Sequence, residues 1–496
     1  MNQLSRDEKM VREFPFFIWA TLGYALFYVI CLYKNPSGIT FPLFTLGTII
    51  FFVLCMKKLD VKVKPYSIFY VVCIELFGLS TCLTDSGVII FLNKCSIFFL
   101  VIVFLLHNFY DSKDWNFLEH IKAYFITVFV SIGFIYKPFM HLSLYRKIKA
   151  LSETKKENHK FLYVFLGVAI SLPLVVIVLA LLISADAVFE NIFVSMFEDI
   201  SLFSLVWNGI LIGILFVIVF FAVYMLVSFL CNYPVNAVRK EKDGAEPLIA
   251  ITISVILSFI YVMFCGIQVV YLFVGGNGLT LPNNMTYAEY AREGFFQLLF
   301  VCIINLIFVL IGIYFFKKSN VLKVFLSIIT GCTYIMIASS AMRMLLYIQY
   351  KYLTFLRVFV LWALLVIALV MVGVFITIFK KKFDFFHYAV VVVTCLYLLF
   401  SFAHVDYLIA KVNLDNASLE TQYAFFEGTK PYDDTSYLIC SLSYDAAPAI
   451  LEYDQHDLYI ERIHDLYIER ILEDTEDMGI RNFNVSRFIA LQKVEK

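Results

Sequence analysis

Ala123-Tyr-Phe-Ile-Thr-Val-Phe-Val-Ser-Ile-Gly-Phe-Ile-Tyr136, closed by Lys137 and Pro138, is the stretch on which the architecture of this chain turns. It is a run of fourteen residues, short of the roughly 20 that an α-helix needs to cross a bilayer. Whether it crosses decides which side everything after it faces. Around it lie eleven longer apolar runs, at 14–33, 39–56, 66–83, 88–106, 161–184, 202–231, 248–274, 294–316, 321–342, 353–379 and 383–404, parted by Pro, Gly, Asn and charged residues. With 61% hydrophobic residues and a mean hydropathy of +0.84, the expectation is an all-α, polytopic transmembrane helical bundle of about 11, alternatively 12, spans.

Charge chooses between the counts. If 123–136 lies in the interface or re-enters, one side holds the N-terminus, Lys57 to Lys64, the segment 107–160, Arg239 to Lys242, Lys317 to Lys323 and Lys380 to Lys382, with 25 Lys and Arg in all, and the other holds only 4: Lys34, Arg292, Arg343 and Lys351. Loops rich in Lys and Arg face the cytoplasm. The preferred reading is therefore eleven spans, N-terminus cytoplasmic and C-terminal tail extracytoplasmic. The competing reading has twelve spans and a cytoplasmic tail. Residues 1–404 form the membrane domain, with 107–160 mostly cytoplasmic, and 405–496 form a small helical extramembrane tail. The net charge of zero hides a split, since 1–404 carry 31 basic against 21 acidic residues and the tail 8 against 18. Ten of the eleven cysteines lie in or beside apolar runs and read as small buried hydrophobes rather than a disulfide framework.

A charge inside lipid costs about 2.5 to 3.5 kcal/mol on insertion scales, so each one is a functional suspect. Glu75 and Lys94 sit on consecutive spans that turn at Thr84 to Gly87, where they could pair across the hairpin as a polar site or as a plain structural pair. A second set gathers towards the outer face: Asp186, Glu190, Glu289, Arg292, Glu293, Arg343, Arg357, His404 and Asp406. These could line a polar cleft for an ionic ligand, or be interface charges solvated by water and headgroups. Glu289, Arg292 and Glu293 are three and four apart on one helix face, so local pairing of Arg292 is favoured over a shared anion with Arg343. Gly209 and Gly213 stand at the spacing that lets two helices approach closely.

The chain holds no GxxxxGK[ST], HExxH, CxxC or GxSxG, and its eight histidines are scattered, so no cofactor, metal or standard hydrolytic chemistry is expected. In the tail, helices are expected over 437–451, 458–472 and 483–491. His-Asp-Leu-Tyr-Ile-Glu-Arg-Ile occurs at His456 to Ile463 and again at His464 to Ile471. Two copies of so short a unit make a local duplication, not a solenoid. Ile460, Ile463, Tyr467 and Ile471 give it one apolar stripe.

Tyr287-Ala-Glu-Tyr-Ala-Arg-Glu-Gly-Phe-Phe-Gln-Leu298, Arg343 with Leu346-Tyr347 and Tyr352-Leu-Thr-Phe-Leu-Arg357, Tyr437-Leu-Ile-Cys-Ser-Leu-Ser-Tyr-Asp-Ala-Ala-Pro-Ala449 and the closing Asn482-Phe-Asn-Val-Ser-Arg487 resemble bacterial membrane proteins grouped as domain of unknown function 4173, with the related family 4153. The resemblance covers roughly residues 160 to 496. It departs at Lys351, where Tyr-Gly-Leu-Thr is the expected pattern, and at the duplicated octapeptide. It implies a bacterial cytoplasmic membrane and a tail integral to the domain, and carries over no reaction. The expected partners are the lipid bilayer and a protein met through the tail, with no nucleic acid. Leading the functional readings is a non-enzymatic signalling or envelope-associated protein. A carrier with a polar intramembrane site is second, and a membrane-embedded envelope enzyme third.

Overall fold

In the computed structural model the described residues are 5–113, 115–152, 200–233, 244–270, 295–350, 352–380, 382–415, 441–453, 458–475 and 479–494, with isolated positions between 153 and 199. Among them the chain is a helical bundle. The first helices are α1 (Arg6–Arg12), α2 (Phe14–Leu32), α3 (Thr40–Lys58), α4 (Ser67–Leu83) and α5 (Gly87–Phe109). Then come α6 (Phe117–Val130), prolonged by a 3-10 turn (Ser131–Phe134), and α7 (Lys137–Ser152). The remaining long helices are α8 (Ile200–Asn232), α9 (Pro247–Gln268), α10 (Phe295–Phe315), α11 (Asn320–Tyr350), α12 (Phe355–Phe379) and α13 (Phe385–Ser401). A bend of 54° leads from α13 into α14 (Val405–Asp415).

Local chemistry sets the helix starts. Ser5 and Glu8, and again Asn116 and Glu119, exchange side-chain and backbone hydrogen bonds in reciprocal capping boxes that satisfy amide groups a helix leaves open. Pro15 and Pro247 stand in the first turns of α2 and α9, where a missing N–H costs nothing. By length and composition nine helices can cross a bilayer among the described residues, Phe117–Phe134 being one of them, or ten if the bent α13–α14 pair is one span. Ser67–Leu83 is apolar but shorter, at 17 residues. The expected span 161–184 lies largely outside the described residues.

Outward faces are apolar as well. Phe259 and Leu399 are 73% and 71% exposed, the pattern of helices whose solvent is hydrocarbon rather than water. Inside, two clusters pack. One runs from α1 through α5 and takes in α8, α13, α14 and the C-terminal tail; the other joins α9, α10, α11 and α12. Close helix approach relies on small residues at a few points, such as Gly78, whose added Cβ would stand 2.5 Å from the Thr45 hydroxyl. Among the described residues nothing lies within 4 Å of the Cβ position of Gly209.

The bundle has two chemically distinct ends. One gathers α1, the 59–66 turn and the start of α13: Lys9 pairs with Asp60 at 2.7 Å, Arg6 donates to the Phe109 carbonyl at 2.7 Å, and the Phe117 and Phe385 rings lie 5.1 Å apart. α6 starts there, at Phe117. Its 3-10 extension ends with Phe134 edge-on to Phe229 (5.5 Å) and Lys137 beside Asp7 (3.3 Å) and Asn232 (3.1 Å). Both termini of the 117–134 segment thus meet α1's end of the bundle.

The opposite end carries the 33–39 and 84–86 turns, the bend at 402–404 and the tail. Within the tail, a 3-10 turn (Tyr444–Ala446) leads into α15 (Ala447–Leu451), followed by α16 (Leu458–Thr475) and α17 (Val485–Val494). Tyr467 and Ile471 of the duplicated octapeptide are fully buried; the side chains of the first copy lie outside the described residues.

A polar clamp between the tail and two helix turns as the candidate functional site

Asp445, from the stretch Tyr444-Asp-Ala-Ala-Pro448, is the centre of the tail-bearing end. Its carboxylate accepts from the Thr84 hydroxyl (2.5 Å), the Asp85 amide (2.8 Å) and the Ser486 hydroxyl (2.5 Å), with His404 Nδ1 at 3.8 Å. The side chain has no exposure. Burial opposes its charge, yet the contacts from His404, Ser486, Thr84 and the Asp85 amide together hold its pKa below the usual aspartate range. His404 responds in the opposite sense: the nearby Asp445 carboxylate outweighs burial and raises its pKa. Its φ of 45° lies in the left-handed region that a side chain of this size rarely adopts.

Neighbouring groups extend the clamp. Arg487 meets Asp85 at 2.6 Å; burial raises the Asp85 carboxyl, and the arginine offsets only part of that. Asn484 donates to the Thr84 carbonyl (2.9 Å) and to Ser37, while its own oxygen accepts from the Ser486 and Arg487 amides, an arrangement that opens α17. Asp406 accepts from the Ser443 hydroxyl at 2.6 Å. On the adjoining turn, Asn35 donates to the Arg481 carbonyl (3.1 Å), and Ile39 N–H to the Phe483 carbonyl (2.8 Å). Gly38 must be glycine for this seat, because a Cβ there would lie 2.3 Å from the Arg481 oxygen. Asn413 of α14 brackets Leu353, accepting from its N–H at 2.8 Å and donating to its carbonyl at 2.9 Å.

Of the residues singled out from sequence, His404 and Asp406 are in or beside the clamp. Arg343 is buried and donates to Gln268 (3.2 Å), which also accepts from Ser339 (2.8 Å). Arg357 lies over the Tyr347 ring at 4.5 Å and donates to the Tyr352 carbonyl. Asp186 is exposed. Glu190, Glu289, Arg292 and Glu293 lie outside the described residues.

Glu75 and Lys94 do not pair. Glu75 accepts from Thr45 at 3.1 Å, and Lys94 lies 5.7 Å from the Phe41 ring centroid. Both side chains turn to α3, but to positions one helical turn apart, about 6 Å along its axis. Glu75 is left with one carboxylate oxygen, Oε1, buried and without a partner among the described residues.

Sequence reasoning missed Asp445, Thr84, Asp85, Ser486 and Arg487 as a constellation. The only signal was that three of them fall in the quoted tail motifs. Two clusters at the opposite end were missed entirely. Asp7 meets His141 (3.0 Å), Asn232 (2.6 Å) and Lys137 (3.3 Å), and His141 reaches the Tyr224 hydroxyl at 3.0 Å. Burial there is overcome by these partners, and Asp7 is held down at about 2. His107, His120 and His387 surround a void of about 10 Å³, large enough for one water. Their arrangement matches no metal site: among the described residues no three His, Cys, Asp or Glu side chains are grouped to hold a metal ion. The ten described cysteines are all free thiols.

No curated protein and no solved structure matches the chain. A family model, described as Domain of unknown function (DUF4153), matches residues 71–453, well over half of the chain and including the Thr84, Asp85, His404, Asp406 and Asp445 positions. The 4173 resemblance, by contrast, is not what the match establishes; the related family is. This chain is a multi-pass membrane protein of the DUF4153 family.

Proposed function

We propose that the protein is a non-enzymatic signalling or envelope-associated membrane protein, whose outer turns and docked C-terminal tail form a unit that meets a partner or ligand. The observation that carries this reading is the Asp445 clamp. One buried carboxylate joins the tail to the α4–α5 turn and, through His404, to the end of α13. A force or ligand acting on the tail is thereby connected to two span-bearing elements. In this reading the clamped end faces outside, the lysine-rich end faces the cytoplasm, and 123–136 lies in the inner interface or re-enters from it, in a bacterial cytoplasmic membrane. Support comes from the 25-to-4 charge asymmetry and from the contacts that bring both termini of 117–134 to α1's end. The decisive experiment compares the intact chain, a chain lacking 410–496, and Asp445→Ala in a strain whose phenotype depends on this protein. The reading requires loss of function in both altered chains with membrane levels retained. Full function without the tail would remove it.

A carrier is the second reading, favoured by the unpartnered Glu75 oxygen. A buried carboxylate with an open lone pair beside Thr45 is a place for a proton or cation. Glu75→Gln should then abolish substrate movement while the protein stays in the membrane at its normal level; unchanged phenotype with Gln at this position would dismiss the carrier.

A further inference from the structure

At the end of the bundle opposite the clamp, a cavity of about 720 Å³ opens between the ends of α10, α11 and α12 and the loop before α13. Five lysines line it: Lys113, Lys317, Lys318, Lys323 and Lys382. Among the described residues the one acidic lining residue, Asp384, is already committed to His387, at 2.5 Å from Nδ1. Among the described residues Lys113, Lys317, Lys323 and Lys382 carry no ion pair. Deeper in, the lining turns apolar, with Leu326, Ile378 and Phe383 among the wall residues.

Surface lysines at a membrane boundary need no ligand to explain them. A concave site does, when it concentrates positive charge at its mouth and hydrocarbon in its wall. Water solvates the first but not the second. A phosphate ester carrying a hydrocarbon chain satisfies both, and the boundary between helix ends and headgroups is where such molecules lie. We propose that this cavity binds the phosphate headgroup of an anionic lipid, with the lysines on the phosphate and the first part of an acyl chain along the Leu326–Ile378 wall. The site is independent of the tail clamp and of the signalling reading.

The test uses the full-length protein in neutral detergent, titrated with a phosphatidylglycerol and followed by native mass spectrometry. Lys317→Gln/Lys323→Gln/Lys382→Gln removes three charges from the cavity. Lys57→Gln/Lys62→Gln/Lys122→Gln removes three exposed charges elsewhere. At about fivefold per lysine, the cavity variant should bind roughly a hundredfold more weakly, and the control within about threefold of the parent. Phosphatidylcholine should not compete. Equal losses in both variants would overturn the site in favour of diffuse surface potential. Competition by glycerol phosphate as effective as by the lipid would overturn it in favour of a water-soluble phosphate ligand.

Discussion

At the scale of single residues, the energetics of the clamp follow from burial. Removing the Asp445 carboxylate leaves two hydroxyls and an amide without their acceptor, and each orphaned buried donor costs about 1 to 3 kcal/mol. Asp445→Ala should therefore free the tail by roughly 3 to 5 kcal/mol, read as faster amide exchange across 441–494 with α2 to α5 unaffected. Asp445→Asn keeps an acceptor oxygen and should cost less. The pH dependence has a definite sign. His404 is raised by Asp445, so its contribution is complete below the ordinary histidine value of about 6.5 and is lost as pH rises through the elevated one. Asp445 is lowered, so its contribution is complete above the ordinary aspartate value of about 4 and is lost as pH falls through the depressed one. Asp85, raised by burial, also favours the lower side of neutrality. Docking should be tightest between about pH 4.5 and 6, and proteolysis of the tail should quicken from pH 6 to pH 8. A flat profile over that range would show that His404 does not act on the tail.

Among the elements, α16 and the 33–39 turn show how the tail is seated. Tyr467 sends its hydroxyl to the Ser443 carbonyl at 2.8 Å while its ring is fully buried against Tyr444. Tyr467→Phe should cost about 1 kcal/mol and Tyr467→Ala about 3 to 5 kcal/mol, both measured as tail protection in amide exchange. The expected apolar stripe of this helix includes Tyr467 and Ile471, because spacing alone fixes a helix face. That Tyr467 would also close a hydrogen bond to the residue beside Asp406 was invisible, since Ser443 is 24 positions away. Gly38→Ala is the matching test on the turn: the new methyl would strike the Arg481 and Asn482 backbone, which cannot swing aside as a side chain would. A loss of about 1 to 3 kcal/mol in tail docking is expected, with α2 and α3 still inserted. Wild-type protection in this variant would mean the turn gives way easily.

At the scale of the whole molecule, the testable quantity is sidedness. Reporters fused after Lys496, one active only outside the cytoplasm and one only inside, should give external activity if 123–136 lies in the interface or re-enters rather than crossing. Because the tail shares an end with the 33–39 and 84–86 turns, the same experiment reports on both hairpins. Internal activity would reverse all of them together and would require the lysine-rich end to face outward. The shared core also gives the tail a role in the fold, since Leu442, Tyr444, Ile450 and Tyr467 belong to the same apolar cluster as α2 to α5.

Composition and run length alone determined that this chain is a helical membrane protein, because hydrocarbon admits only segments that satisfy their own backbone hydrogen bonds, and roughly twenty uncharged residues in succession have few other uses. Charge distribution gave the two ends their different character for an equally local reason. What only the tertiary structure decided is which polar groups meet. Thr84, Asp85, His404, Asp445 and Ser486 span some four hundred positions, and no periodicity links them. Glu75 and Lys94 failed to pair although adjacent spans carry both, since each side chain turns to α3 and meets it one helical turn from the other, at Thr45 and Phe41.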